Sequence, residues 1–327
     1  MKKTIRVKFV GFWGGFVPEK TRIFLDLSKL YNVEITDSPD YIICSCFEPL
    51  YDYCNYPQIR IMDVGENYIP DLNLVDYAIS RYPVSLLDRC FFHPGCIDFR
   101  GRFEALLKSR GQFGIDFVNS KQYFANFIAS HDSEDNIRGD FFKLLSQYKR
   151  VESPGTYLNN MESDISVNWK DNSKTDFQRQ CKFTLCFEST KSGGFVTEKI
   201  TDAFYSDTIP VYFGSEEIFN IYNKDAIIFC RSREDFDMTV QRIIELDNND
   251  EKYLEMINQP ILNPKFDYQQ FRADYEAFLR NIFEQPLDQA YRRSRVYVPK
   301  QHEDYLRQKS LPNQEGKKGL FARLIWR

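Results

Sequence analysis

The sequence contains no run of 18 or more apolar residues, so it offers no segment for a membrane-spanning helix. Its start, Met1 to Val10, lacks the long apolar stretch and small-residue cleavage site of a secretory signal, and the chain is expected to stay in the cytoplasm. Histidine is scarce. The three, His93, His131 and His302, stand in no motif, which leaves imidazole a weak competitor for any acid–base role. Cys44, Cys46 and Cys54 lie close together, but no second pair follows at zinc spacing, which argues against a structural zinc site. Of the eight cysteines, Cys44, Cys46, Cys90, Cys186 and Cys230 fall in or beside apolar segments, where free thiols act as small hydrophobes. Internal repeats and low-complexity tracts are also missing. A basic surplus over the body is absent too. The net charge is −4, yet residues 291–327 carry ten Lys/Arg against three Asp/Glu, a balance of +7 that leaves −11 for the rest. An acidic body argues against a general nucleic-acid binder and suggests that the basic end has a partner of its own.

What is present is a soluble-type composition with 43% hydrophobic and 28% charged residues, over 327 residues, a length comfortable for two domains. Aromatics reach 16%, suited to a thick core and to clefts that stack on sugars or bases. Ile5 to Phe12, Tyr41 to Cys46 and Ile59 to Val64 read as strands, with a helix over Glu19 to Tyr31. Tyr123 to Ala129 is a further strand candidate and Asp140 to Tyr148 a helix. Pro, Gly and paired Asn in Glu152 to Asn160 mark a break. A second rhythm follows: strands at Phe183 to Glu188, Ile209 to Phe213 and Ala226 to Cys230, and helices at Thr197 to Tyr205 and Glu234 to Leu246. Two α/β units joined near residue 150 are expected.

The segment Phe187 to Ile200, FESTKSGGFVTEKI, is the richest in chemistry. A strand ends at Glu188, a Ser/Thr/Gly loop follows, and Thr197 is placed to cap a helix opening with Glu198 and Lys199. Ligands of open α/β sheets bind beyond the carboxyl ends of strands. Lys199 offers a point charge for a diphosphate, and Glu198 offers a bidentate acceptor for the paired hydroxyls of a ribose or sugar. From these residues alone, a capped helix carrying a surface lysine reads equally well. Asp235-Phe236-Asp237 resembles a metal-binding Asp-x-Asp but falls at a helix start, where capping is the better reading.

Continued through Thr201 to Gly214 (TDAFYSDTIPVYFG), the segment resembles the signature of glycosyltransferase family 10, the α1,3/4-fucosyltransferases. Gly65 to Ile79 (GENYIPDLNLVDYAI), Phe12-Trp13, Ser38 to Tyr41, Arg138 with Phe141-Phe142, and Ser153-Pro154-Gly155 with Asn159-Asn160 are similar to family segments in the same order. The resemblance covers Ile5 to Asn263. It implies a GT-B type fold, two facing Rossmann-like domains with the active site in the cleft. The expected division is an acceptor domain at residues 1–150, a GDP-sugar domain at 151–290 and a basic amphipathic tail at 291–327. It also implies inverting transfer of L-fucose from GDP-fucose to an acceptor glycan hydroxyl, with α1,3 linkage to an N-acetylglucosamine- or glucose-type residue. No metal is required on this reading, Mn²⁺ or Mg²⁺ being at most stimulatory. Alternatives are another GDP-sugar donor or a non-catalytic carbohydrate-binding relic.

The resemblance assigns Glu66, in Gly-Glu-Asn, the role of general base, in a partly desolvated cleft able to raise its pKa. It assigns donor binding to Glu188, Ser189, Phe195, Thr197, Glu198 and Lys199. Phe195 stands where the family commonly has Tyr, and Ser189 where it has Asn. Some members carry a Lys or Arg between the loop Gly and the Asn pair; here Thr156, Tyr157 and Leu158 fill that gap. The second cation must come from Arg138, Lys149, Arg150 or Lys182, and Arg138 is included in the donor set. Trp13, Tyr68 and Tyr82 are candidate stacking surfaces for the acceptor, an oligosaccharide or lipid-linked glycan such as lipopolysaccharide. The terminal KKGLFARLIWR, with Leu320, Phe321, Leu324, Ile325 and Trp326 among Lys317, Lys318, Arg323 and Arg327, suits an anionic membrane surface on the cytoplasmic side. No nucleic-acid partner is expected.

Overall fold

The structure, a computed structural model, describes residues 2–97, 101–133, 135–161 and 171–310. The chain forms two compact units. Unit 1 takes the first 80 residues, residues 84–91 and the chain from Tyr275 onward; unit 2 takes residues 81–83 and 92–274.

Unit 1 is built on β1 (Thr4–Val10), β2 (Asn32–Ile35), β3 (Tyr41–Cys44), β4 (Ile59–Asp63), β5 (Tyr77–Ser80) and β6 (Cys90–Phe92), in the order β2-β1-β3-β4-β5-β6. The pairs from β2 through β5 are parallel. Side chains alternate between the faces as strand geometry requires. Val7, Ile43, Ile61 and Ile79 meet Ile23 and Leu27 of the Arg22–Leu30 helix and Leu279 and Ile282 of the Tyr268–Glu284 helix. Ile42, Cys44 and Met62 point the other way, into a cluster with Tyr53, Val64 and Leu74.

Unit 2 carries β7 (Tyr123–Asn126), β8 (Val151–Glu152), β9 (Cys181–Phe187), β10 (Ile209–Phe213) and β11 (Ile228–Phe229), in the order β11-β10-β9-β7-β8, all parallel. Counted from the first strand of each unit, the order is 2-1-3-4-5-6 in the first sheet and 2-1-3-4-5 in the second, one doubly wound pattern. The order reverses between β1 and β3 in unit 1 and between β7 and β9 in unit 2. At such switch points the loops diverge and leave a crevice at the carboxyl ends of the strands.

Most expected strands sit within a few residues of their places, but four features differ. The boundary is not at residue 150: β7 and β8 belong to the second sheet. The Pro/Gly/Asn segment is a tight loop at the carboxyl end of β8 rather than a linker, and a Cβ on Gly155 would lie 2.6 Å from the Ala129 carbonyl oxygen. The short strands β2, β5, β6 and β8 went unforeseen. The basic end is not a free tail over its described part. Arg293 pairs with fully buried Asp76, and Glu303 of the Tyr297–Ser310 helix meets fully buried Arg60 at 2.6 Å. Buried ions demand such partners, which makes 291–310 part of unit 1. The amphipathic stretch Leu320 to Arg327 lies outside the described residues. Among the described residues, no helix is long and apolar enough to cross a membrane.

Candidate functional site

In unit 2, β9 ends at Phe187, and the next residue continues the ladder, with Glu188 N–H donating to the Phe213 carbonyl at 2.9 Å. Glu188 is fully buried. Its carboxylate accepts from the Thr197 N–H at 2.8 Å, from the Thr197 hydroxyl, and from Lys199 Nζ at 3.1 Å. Lys199 Nζ also donates to Thr197 Oγ1 at 2.9 Å. Burial opposes a charged lysine, but Glu188 and Glu198 outweigh it and hold the Lys199 pKa above its ordinary value. The Lys199 side chain keeps 23% of its surface exposed. The expected cap is not formed. The helix runs Lys199–Tyr205, its N-cap is Glu198 without a side-chain bond, and the Thr197 hydroxyl turns to Glu188 instead.

The four candidate cations differ in their position on the sheet. Arg138, on the Ile137–Leu145 helix, is buried and donates from Nε to the Phe187 carbonyl at 3.0 Å and from Nη1 to the His131 carbonyl at 3.0 Å. Desolvation lowers its pKa, while Glu188, Asp132 and Glu198 pull it back up. Arg138 and Lys199 therefore meet around the carboxyl ends of β7 and β9, at the switch point. Lys149 and Lys182 instead share Asp247, at 3.0 and 2.9 Å, and Arg150 pairs with Glu152. Lys182 and Arg150 stand at the amino ends of β9 and β8, the wrong end for a ligand of this fold.

Three residues here were given no role from the sequence. His131, in the loop after β7, has its pKa lowered by burial and then by Arg138 and Lys199. Asp132 accepts from the Ser133 and Gly139 N–H groups at 2.8 and 3.2 Å and from the Tyr157 hydroxyl, which together depress its pKa although burial works against them. Tyr157, from the loop that lacks the family cation, thus closes on the turn holding His131. The only signal in the sequence was that His131 follows a strand end.

The glycine loop is fixed locally. Gly194 has φ +88°, its N–H donates to Ser215 Oγ at 2.8 Å, and a Cβ there would overlap the Pro83 ring. Phe195 is buried and stacks on Tyr82 at 5.8 Å and 22°. Tyr82 is therefore a buried partner of Phe195, not an open acceptor platform, because packing the loop consumes its ring. Ser189 is half-buried just beyond β9. The Asp235 carboxylate does not cap either; it accepts from the Arg231 N–H and guanidinium at 3.2 Å. Among the described residues no group of three or more His, Cys, Asp or Glu converges as metal ligands would.

In unit 1, Glu66 is exposed on the loop after β4, rather than desolvated. Its charge, after burial, contributes to pushing the Cys46 thiol up to about 11. Trp13, 40% exposed, stands at the switch point between β1 and β3 and is braced edge-on by Phe16 at 5.1 Å and Phe47 at 5.6 Å. Tyr68 is half-buried against the Met62 cluster, and burial pushes its hydroxyl up to about 12. Trp13 therefore presents an open ring, and Tyr68 presents part of one.

Known proteins resemble both halves of the chain. The pattern described as alpha-(1,3)-fucosyltransferase FucT N-terminal domain matches residues 7–96, and that of glycosyltransferase family 10 (fucosyltransferase), C-terminal part, matches residues 118–258. The alpha-(1,3)-fucosyltransferase FucT of Helicobacter pylori is 26% identical over an alignment of 298 positions that covers 79% of this chain and 60% of that protein. The chain thus spans less than two thirds of that relative's length. Among solved structures, an α1,3-fucosyltransferase is 24% identical with a TM-score of 0.74, over 91% of this chain and 94% of the other. An α1,3-fucosyltransferase with GDP is 25% identical with a TM-score of 0.69, over 87% and 91%. The fold is of the GT-B class.

Proposed function

We propose, for a chain that belongs to glycosyltransferase family 10, an inverting transfer of L-fucose from GDP-fucose to a hydroxyl of an acceptor glycan. The observation that carries this reading is the pair of cations, Lys199 and Arg138, at the carboxyl ends of β7 and β9. It suits a diphosphate at the switch point of a doubly wound sheet. The GDP complex of the related structure, at 25% identity, supports the same donor class.

In this reading Glu66 removes the proton of the acceptor hydroxyl. The oxygen forms its bond to the anomeric carbon of fucose as the bond to the diphosphate oxygen breaks, and GDP leaves with the electron pair. Lys199 and Arg138 offset charge growing on the leaving group. Glu198 holds donor hydroxyls, with Ser189, Thr197 and Phe195 shaping the site. Trp13 and Tyr68 stack on the acceptor, a glucose- or N-acetylglucosamine-type residue taking an α1,3 linkage. No metal is required, because the two cations supply the charge. The enzyme works in the cytoplasm, and residues beyond Ser310 hold it against an anionic membrane carrying a lipid-linked glycan.

A glycan array incubated with GDP-fucose and, separately, with other GDP-sugars tests the reading. Fucose-specific product, matched by GDP release, is the expected result. Transfer from a different GDP-sugar alone would replace the donor, and the absence of any transfer would leave a carbohydrate-binding protein.

A further inference from the structure

Glu188 has no surface to offer a ligand. It is fully buried, and its two carboxylate oxygens are taken by the Thr197 N–H at 2.8 Å, the Thr197 hydroxyl and Lys199 Nζ at 3.1 Å. The backbone around it leaves little slack: a Cβ on Gly214 would lie 2.9 Å from Glu188 Cγ. A charge-assisted bond from Lys199 and a second one from Lys199 to Thr197 fix a flexible four-carbon chain in one direction.

We infer that Glu188 is a positioning residue, not a donor contact: with Thr197 it aims the Lys199 ammonium toward the diphosphate. This inference rests on the donor-site reading above. The groups facing the ammonium are Glu188 from the end of β9, neighbouring Glu198, Arg138 from the Ile137–Leu145 helix and His131 from the loop after β7. Cys186, which donates to the Lys199 carbonyl at 3.3 Å, is kept neutral by burial. Without Glu188, a largely buried lysine would face Arg138 with Glu198 as the opposing carboxylate, and both burial and Arg138 favour its neutral form.

The test is calorimetry of GDP binding between about pH 7.5 and pH 10, a window above the ordinary imidazole range that reaches the ordinary lysine range. Wild-type affinity should hold further up the range than that of Glu188→Gln. The variant should bind about tenfold more weakly at its best and lose affinity from about one pH unit lower. Thr197→Val, which removes only the bridging hydroxyl, should weaken binding in the same direction by a smaller factor, and it carries the test if Glu188→Gln does not fold. Both substitutions leaving affinity and its pH dependence unchanged, or tightening GDP, would overturn the positioning role. Lys199→Ala separates the two ideas. If it weakens GDP while Glu188→Gln and Thr197→Val do nothing, only the positioning role falls; if it leaves GDP affinity intact, the donor site itself is elsewhere.

Discussion

On the proposed reading Glu66 and Lys199 carry the chemistry at the scale of single residues, and they differ in how they are held. Lys199 is fixed by Glu188 and Thr197, whereas Glu66 is exposed in its unit. Glu66→Gln keeps the shape and loses the basicity. Its kcat should fall by about a hundredfold or more with GDP binding nearly intact; a variant retaining a tenth of normal turnover would remove Glu66 from the role. Gly194→Ala probes the loop. A side chain at φ +88° facing the Pro83 ring should cost about 1–3 kcal/mol, read as a shift in a urea unfolding curve. The residues proposed for the donor site in Phe187 to Ile200 could be grouped from the sequence because one strand–loop–helix segment carries them. Arg138 was visible only as one of four cations, since choosing it needs the strand ends. His131, Asp132 and Tyr157 were not legible, because their contacts join separate loops. The mutual stacking of Phe195 and Tyr82 was hidden for the same reason.

Among the elements, the Lys199–Tyr205 helix deserves an anchor, since it has only seven residues and no side-chain cap. Asp202 supplies one. It is fully buried and pairs with Arg102 at 2.6 Å and Lys174 at 2.9 Å, tying the helix to two neighbouring segments. Asp202→Ala should strand two buried cations and destabilise the fold by about 3–5 kcal/mol in chemical denaturation. A change below about 1 kcal/mol would mean that the network is readily rehydrated. Strands with continuous apolar runs, such as β9 and β10, were readable from their composition. The edge strand β2, with its polar Asn32 and Glu34, was not, because an edge needs little apolar character to pair on one side. The loop after β8 looked like a linker because Pro, Gly and Asn serve tight turns and domain breaks alike.

For the whole molecule, the division into units depends on the chain's return at Tyr275, which no local pattern announces. The basic end therefore has two parts with different expected behaviour. A chain ending near Gly316 should fold and remain active on a soluble acceptor, but lose most of its sedimentation with anionic vesicles at low salt. A chain ending at Ala290 should lose stability outright, since it leaves Arg60 and Asp76 buried without Glu303 and Arg293. Retained vesicle binding in the first truncation would place the membrane contact elsewhere, and an undiminished unfolding midpoint in the second would make 291–310 dispensable. The most direct test of the account is the product formed by the full chain from GDP-fucose and a responsive acceptor in EDTA, characterised by mass and by NMR of the new linkage. The account predicts one added deoxyhexose in α linkage, one GDP released per transfer, and no need for added metal. A β linkage, GDP release without glycan product, or activity wholly dependent on restored Mn²⁺ or Mg²⁺ would contradict it.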